Sequence, residues 1–157
     1  MITKIISGGQ TGVDRAALDW AIRNGIPHGG WCPKGRRSES GRIADKYNLQ
    51  ETGSPDYTGR TAKNVASSDG TLIISRGHPE GGTNLTVKMC RHPINPKPVH
   101  IVDALRKPDL AEFVDFVRKH NIRVLNVAGP RDRKQRNIGK DVKKILDVLI
   151  PAARVVP

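Results

Sequence analysis

Short β-branched runs alternate with amphipathic stretches along almost the whole chain. Residues 3–7, Gly70–Ser75, residues 98–102 and Val124–Ala128 read as strands apolar on both faces, as strands covered by helices above and below must be. Between them, residues 13–24 carry Ala16, Ala17, Trp20 and Ala21 at helical spacing, and Asn24-Gly25 supplies a stop signal. Further helices are predicted over residues 60–67, 83–91, 110–120 and 138–149. Repeated strand-helix units predict an α/β fold with a doubly wound, mostly parallel sheet.

Residues 29–59 break the pattern. They are rich in Gly, Pro and charge and read as a long functional loop with one weak strand at 49–51. Residues 93–98 look like a stiff connector, and no internal repeat appears, so the 157 residues are expected to form a single domain over 1–157.

Composition narrows the chemistry. A formal net charge of +12 points to anionic partners, while an aromatic content of 4% leaves few platforms for stacking single-stranded bases. The opening residues lack the leader of a signal peptide, and no apolar run is long enough to span a membrane. Cys32 and Cys90 show no metal or disulfide spacing. The expectation is a cytoplasmic protein with no metal site and no membrane partner.

Three strand ends carry candidate chemistry. The first gives Ser7-Gly8-Gly9-Gln10-Thr11-Gly12-Val13-Asp14 and passes straight into a helix. Glycines admit close backbone approach there, and the unpaired N–H groups of a new helix attract an anion. The bland alternative is a tight turn with Thr11 or Asp14 capping the helix. The second is His78-Pro79-Glu80-Gly81-Gly82-Thr83-Asn84, with Thr83 expected as helix cap and ligand donor. The third is Ala128-Gly129-Pro130-Arg131, whose guanidinium could grip phosphate bidentately. The basic run after Arg131 reads as a solvated face or flap. In the irregular region, Lys34 and Arg36 beside Gly35 could fold over a ligand, and Trp31-Cys32 reads as a buried ring with a passive thiol.

Taken together, Gly8-Gly9-Gln10-Thr11-Gly12-Val13-Asp14-Arg15, Gly30-Trp31-Cys32-Pro33-Lys34-Gly35-Arg36, Arg60-Thr61, Asn64-Val65, Gly81-Gly82-Thr83 and Asn126-Val127-Ala128-Gly129-Pro130-Arg131 resemble the putative molybdenum carrier family. The resemblance covers nearly the whole chain. It implies a Rossmann-like fold shared with molybdenum-cofactor carrier proteins and lysine-decarboxylase-like phosphoribohydrolases. It also implies a binding crevice at Gly9, Thr11, Gly12, Asp14, Arg36, Arg60, Asn64, Gly82, Thr83 and Arg131. Gly8, Gln10, Lys34 and Gly81 join that candidate set from the loop patterns.

The resulting expectation is a carrier of a phosphate-bearing small molecule, with molybdenum cofactor (a phosphorylated pterin, molybdopterin) or a nucleotide as cargo, and a homo-oligomer by fold analogy. The alternative is a nucleoside-monophosphate N-glycosidase like the phosphoribohydrolases. Those relatives place a glutamate on the helix after the second glycine loop. Here Thr83-Asn84-Leu85-Thr86 supplies none, which argues against catalysis. Nucleic-acid binding rests on charge alone and is disfavoured.

Overall fold

A computed structural model describes residues 1–154. Residues 155–157, part of the expected domain, lie outside the described residues. The chain runs β1 (Lys4–Ile6), α1 (Val13–Arg23), β2 (His28–Gly29), β3 (Trp31–Cys32), β4 (Arg37–Ser38), β5 (Gly41–Arg42), β6 (Gln50–Glu51), α2 (Tyr57–Ser67), β7 (Gly70–Ser75), α3 (Gly81–Cys90), β8 (Val99–Asp103), α4 (Leu110–Lys119), β9 (Val124–Ala128) and α5 (Ile138–Arg154).

Five strands form the central sheet in the order β2-β1-β9-β7-β8, every pair parallel. Helices α1, α4 and α5 pack together, while α2 and α3 form a second group. This is the expected Rossmann-like arrangement. The last strand in sequence, β9, is the central one.

The strand faces are not alike, which corrects the expectation of apolar faces on both sides. Ile5, Leu72, Ile74, Leu125 and Val127 join residues of α1, α4 and α5 in the main aliphatic core. The alternate positions include Thr71, Ser75 and Asn126, all buried. Burial there needs polar partners, and Asn126 donates through Nδ2 to the Thr71 hydroxyl at 3.1 Å.

Helix α5 runs past the predicted end at 149 and contains Pro151. A proline there deletes one helical hydrogen bond. Ile150 and Ala153 are nevertheless buried, continuing the stripe of Ile138, Val142, Ile145, Leu146 and Leu149.

Residues 29–59 are ordered by main-chain capture, not by hydrophobic periodicity. β3 and β6 pair in parallel, β4 and β5 form a hairpin, and Leu18, Cys32, Ile43, Tyr47 and Leu49 make a second small core. At its centre Arg36, at a φ of 54°, donates to the carbonyl oxygens of Ile43 (2.9 Å), Ala44 (2.7 Å), Tyr47 (2.8 Å) and Leu49 (3.3 Å).

Candidate functional site

The glycine-rich segments after β1, β7 and β9 meet at one edge of the sheet because β9 lies between β1 and β7. A crevice outside the carboxyl ends of adjacent parallel strands is where open α/β sheets bind ligands. A cavity of about 420 Å³ opens there, bounded by the three segments, the β7 end at Ser75 and one side of α2. That volume is within the range of small-molecule sites.

Of the candidate residues, Gly8, Gln10, Asp14, Arg60, Asn64, Gly81, Gly82, Thr83 and Arg131 line this cavity. Gly9, Thr11, Gly12, Lys34 and Arg36 do not. A Cβ on Gly9 would press on Leu49 and Ile43 of the second core, and Gly12 borders a separate shallow cleft. Lys34 is exposed. Arg36, expected to reach over a ligand, has its guanidinium spent on the four carbonyls of its own loop.

The two helix-opening loops differ in what their amides do. In the first, the Gln10 N–H donates to Asp14 Oδ2 at 3.3 Å and the Thr11 N–H to Gln10 Oε1 at 3.0 Å. The Val13 N–H donates to the Pro130 carbonyl at 3.2 Å. Gly12 (φ 79°) is the residue that lets these segments touch, since a Cβ there would lie 2.5 Å from the Pro130 oxygen. Neither Thr11 nor Asp14 caps α1, whose N-cap is Gly12 without a side-chain hydrogen bond.

In the second loop, the N–H groups of Thr83 and Asn84 both donate to the Glu80 carbonyl, at 3.1 and 3.2 Å. Those of Gly81 and Gly82 have no acceptor among the described residues. A Cβ on either glycine would meet nothing within 4 Å. Thr83, expected as the cap, is the third residue of α3, and Glu80 takes the N-cap position.

Charge around the cavity is mixed. Arg60 threads under the first loop, donating to the Gly8 carbonyl at 2.8 Å and standing 3.4 Å from Asp14 Oδ2. Its guanidinium fills the space a side chain at Gly8 would need, with a Cβ there only 2.2 Å from Nη1. Burial pushes the Asp14 carboxyl up to about 6, outweighing the opposing pull of Arg60. Asn64 lines the cavity with its amide already engaged: Oδ1 accepts from the Trp31 N–H at 2.8 Å and Nδ2 donates to the Trp31 carbonyl at 3.0 Å. Asn64 thereby ties α2 to β3.

Lining residues outside the candidate set include Asn126, Lys134 and Gln135. An asparagine inside Val-Leu-Asn-Val-Ala is itself a signal, because a buried strand tolerates an amide only with partners. Lys134 belongs to the basic run read as a solvated face. The tight turn in which its N–H donates to the Arg131 carbonyl at 3.0 Å brings it back to the cavity. Among the described residues, no group of three metal-ligating side chains occurs, and no helix is long and apolar enough to cross a membrane.

Comparison with known proteins agrees with this architecture. A model of the circularly permutated YpsA SLOG family matches residues 5–150. The chain is 47% identical to a putative molybdenum carrier protein from Syntrophus aciditrophicus SB, whose crystal structure was solved at 1.45 Å. The alignment covers 95% of each chain with a TM-score of 0.88. No curated protein matches. The chain therefore belongs to the circularly permutated YpsA SLOG family and, with its structural relative, to the putative molybdenum carrier family that its motifs resemble.

Proposed function

We propose that the chain holds a phosphate-bearing small molecule in the cavity as a carrier or binding protein. The observation that carries this reading is the open start of α3, where the unpaired N–H groups of Gly81 and Gly82 border the cavity. Arg131 and Lys134, which also line the cavity, add positive charge suited to the same group. The cargo classes are a phosphorylated pterin such as molybdenum cofactor and a nucleotide. The likeness to a Syntrophus protein described as a putative molybdenum carrier favours the first. A cytoplasmic setting fits two buried cysteines that are both free. Self-association belongs to the same proposal and rests on fold analogy.

Mass spectrometry of small molecules co-purifying with the native protein should find a phosphorylated heterocycle. Gly82→Asp, which puts a carboxylate at the open helix start, should abolish its retention. An unchanged cargo in that variant overturns the reading. Arg131→Lys should weaken binding by roughly 1.5–3 kcal/mol, since a point charge cannot replace the guanidinium fork.

One observation favours a second reading. Asp14 lines the cavity with a carboxyl that titrates near 6, within the range of a general acid or base. A nucleoside-monophosphate hydrolase would use it. Sustained release of free base from nucleoside monophosphates, lost in Asp14→Asn, would establish that activity; the carrier reading expects none.

A further inference from the structure

Between the first and third strand-end loops, three positively polarised groups converge on one point. The Thr11 hydroxyl donates to Glu39 Oε1, and the Arg133 N–H approaches the same oxygen at 3.3 Å. The Arg131 Nε lies 3.4 Å from Glu39 Oε2. A hydroxyl, an amide and a guanidinium aimed at one spot are the donor set of an oxyanion site. Here a carboxylate of the chain itself fills it.

Glu39 comes from the two-residue tip of the β4–β5 hairpin, far from either loop in sequence. The tip is held by further contacts: the Glu39 N–H donates to Gln10 Oε1 at 2.9 Å, and Arg15 reaches the hydroxyls of Ser38 and Ser40 at 3.3 and 3.2 Å. The Glu39 side chain is 7% exposed, yet Oε2 accepts no hydrogen bond. A buried carboxylate oxygen without a hydrogen bond is an incompletely compensated occupant. Arg131 lines the cavity, whereas Glu39, Thr11 and Arg133 do not, so the site borders the cavity and shares Arg131 with it.

We propose that Thr11, Arg131 and the Arg133 N–H form a second anion position of the cavity. Glu39 keeps it as a tethered internal occupant, and a tetrahedral oxyanion takes it by displacing Glu39 and releasing the hairpin tip. The proposal rests on the reading of the cavity as a phosphate site. A phosphate group offers three acceptor oxygens where a carboxylate offers two, and so can serve every donor at once. A tethered competitor lowers the apparent affinity of a free anion through its high local concentration. Glu39 thus sets which phosphates bind: those whose other contacts outweigh the displacement.

Inorganic pyrophosphate titrated calorimetrically into the full chain tests this. Glu39→Gln should tighten binding by roughly tenfold through loss of the tethered competitor. Glu39→Asp, which keeps the charge but withdraws the oxygens by one methylene, should tighten it too. Adding Arg131→Lys to Glu39→Gln should cancel the gain. In the unaltered protein, pyrophosphate should speed hydrogen exchange at the Glu39 amide as its bond to Gln10 opens. Unchanged or weaker binding in both Glu39 variants, a gain confined to the charge-removing variant, or slower exchange at the tip would each overturn the displacement. If binding is unaffected by Glu39 but lost in Gly82→Asp, the displacement falls and the phosphate reading stands. If no form binds pyrophosphate, both fall.

Discussion

The two glycine loops that open α1 and α3 look interchangeable in sequence and do opposite work. The loop before α1 turns amides inward, to Asp14, to the Gln10 side chain and to the Pro130 carbonyl. The loop before α3 leaves the Gly81 and Gly82 amides without an acceptor among the described residues, and an added Cβ on either glycine meets nothing within 4 Å. The first is a clasp that joins the β1 and β9 strand ends; the second lines the cavity with amides that no group of the described chain accepts from. A strand-glycine-helix pattern marks where backbone can approach backbone or ligand, and the neighbouring strand end decides which.

The comparison breaks most visibly under alanine. Gly12→Ala combines a left-handed φ with a Cβ 2.5 Å from the Pro130 oxygen, so it should lower unfolding free energy by roughly 3 kcal/mol or more in denaturant titration. An effect below about 1 kcal/mol would show that the clasp yields freely.

Acid titration sharpens the same contrast. Folding raises the Asp14 carboxyl from its ordinary 3.8 to about 6, so the folded state binds the extra proton. Its contribution to stability is therefore fully present below about pH 4 and lost as the pH climbs to 6. At neutral pH the shift costs the fold on the order of 3 kcal/mol relative to a carboxyl that keeps its ordinary value. Asp14→Asn has no such proton to lose. Thermal unfolding of both proteins from pH 4 to 7 should show the parent losing ground to the variant as pH rises, and parallel curves would place Asp14 in an ordinary aqueous environment.

The smallest effect on the fold is expected at the open loop. Gly82→Ala adds a methyl in a helix with nothing within 4 Å, so stability should hold or rise by about 0.5 kcal/mol from helix propensity. Cargo affinity should fall all the same. A destabilised Gly82→Ala would mean that this loop also packs against the fold.

These contrasts explain what was legible in the sequence. Four of the five sheet strands and all five helices follow from periodicity, because β7 and α5 announce themselves through Leu72, Ile73, Ile74 and the apolar stripe from Ile138 to Leu149. The two-residue strands β2 to β6 do not. Their order comes from Arg36 gathering carbonyls and from Asn64 holding Trp31, contacts with no periodic trace. Lys34 and Arg36 look like cavity residues in sequence because a cation beside glycine reads the same whether it serves a ligand or its own backbone. Lys134 is hidden for the converse reason: a basic run looks solvated until a turn redirects one member.

The central position of β9 has a consequence for how the molecule comes into being. β1 and β7 do not pair with each other; each pairs with β9, and Ile5 meets Leu125 across about 120 positions of chain. Contacts of such long range close slowly, since the loop entropy is lost before the pairing compensates it. Without β9 the β1–β2 and β7–β8 pairs are two unconnected pieces of sheet, and the cavity between them is not formed. It is completed only when residues 124–131 slot into the gap, so the capacity to hold cargo should be among the last properties the folding chain acquires, and the first lost if β9 is loosened.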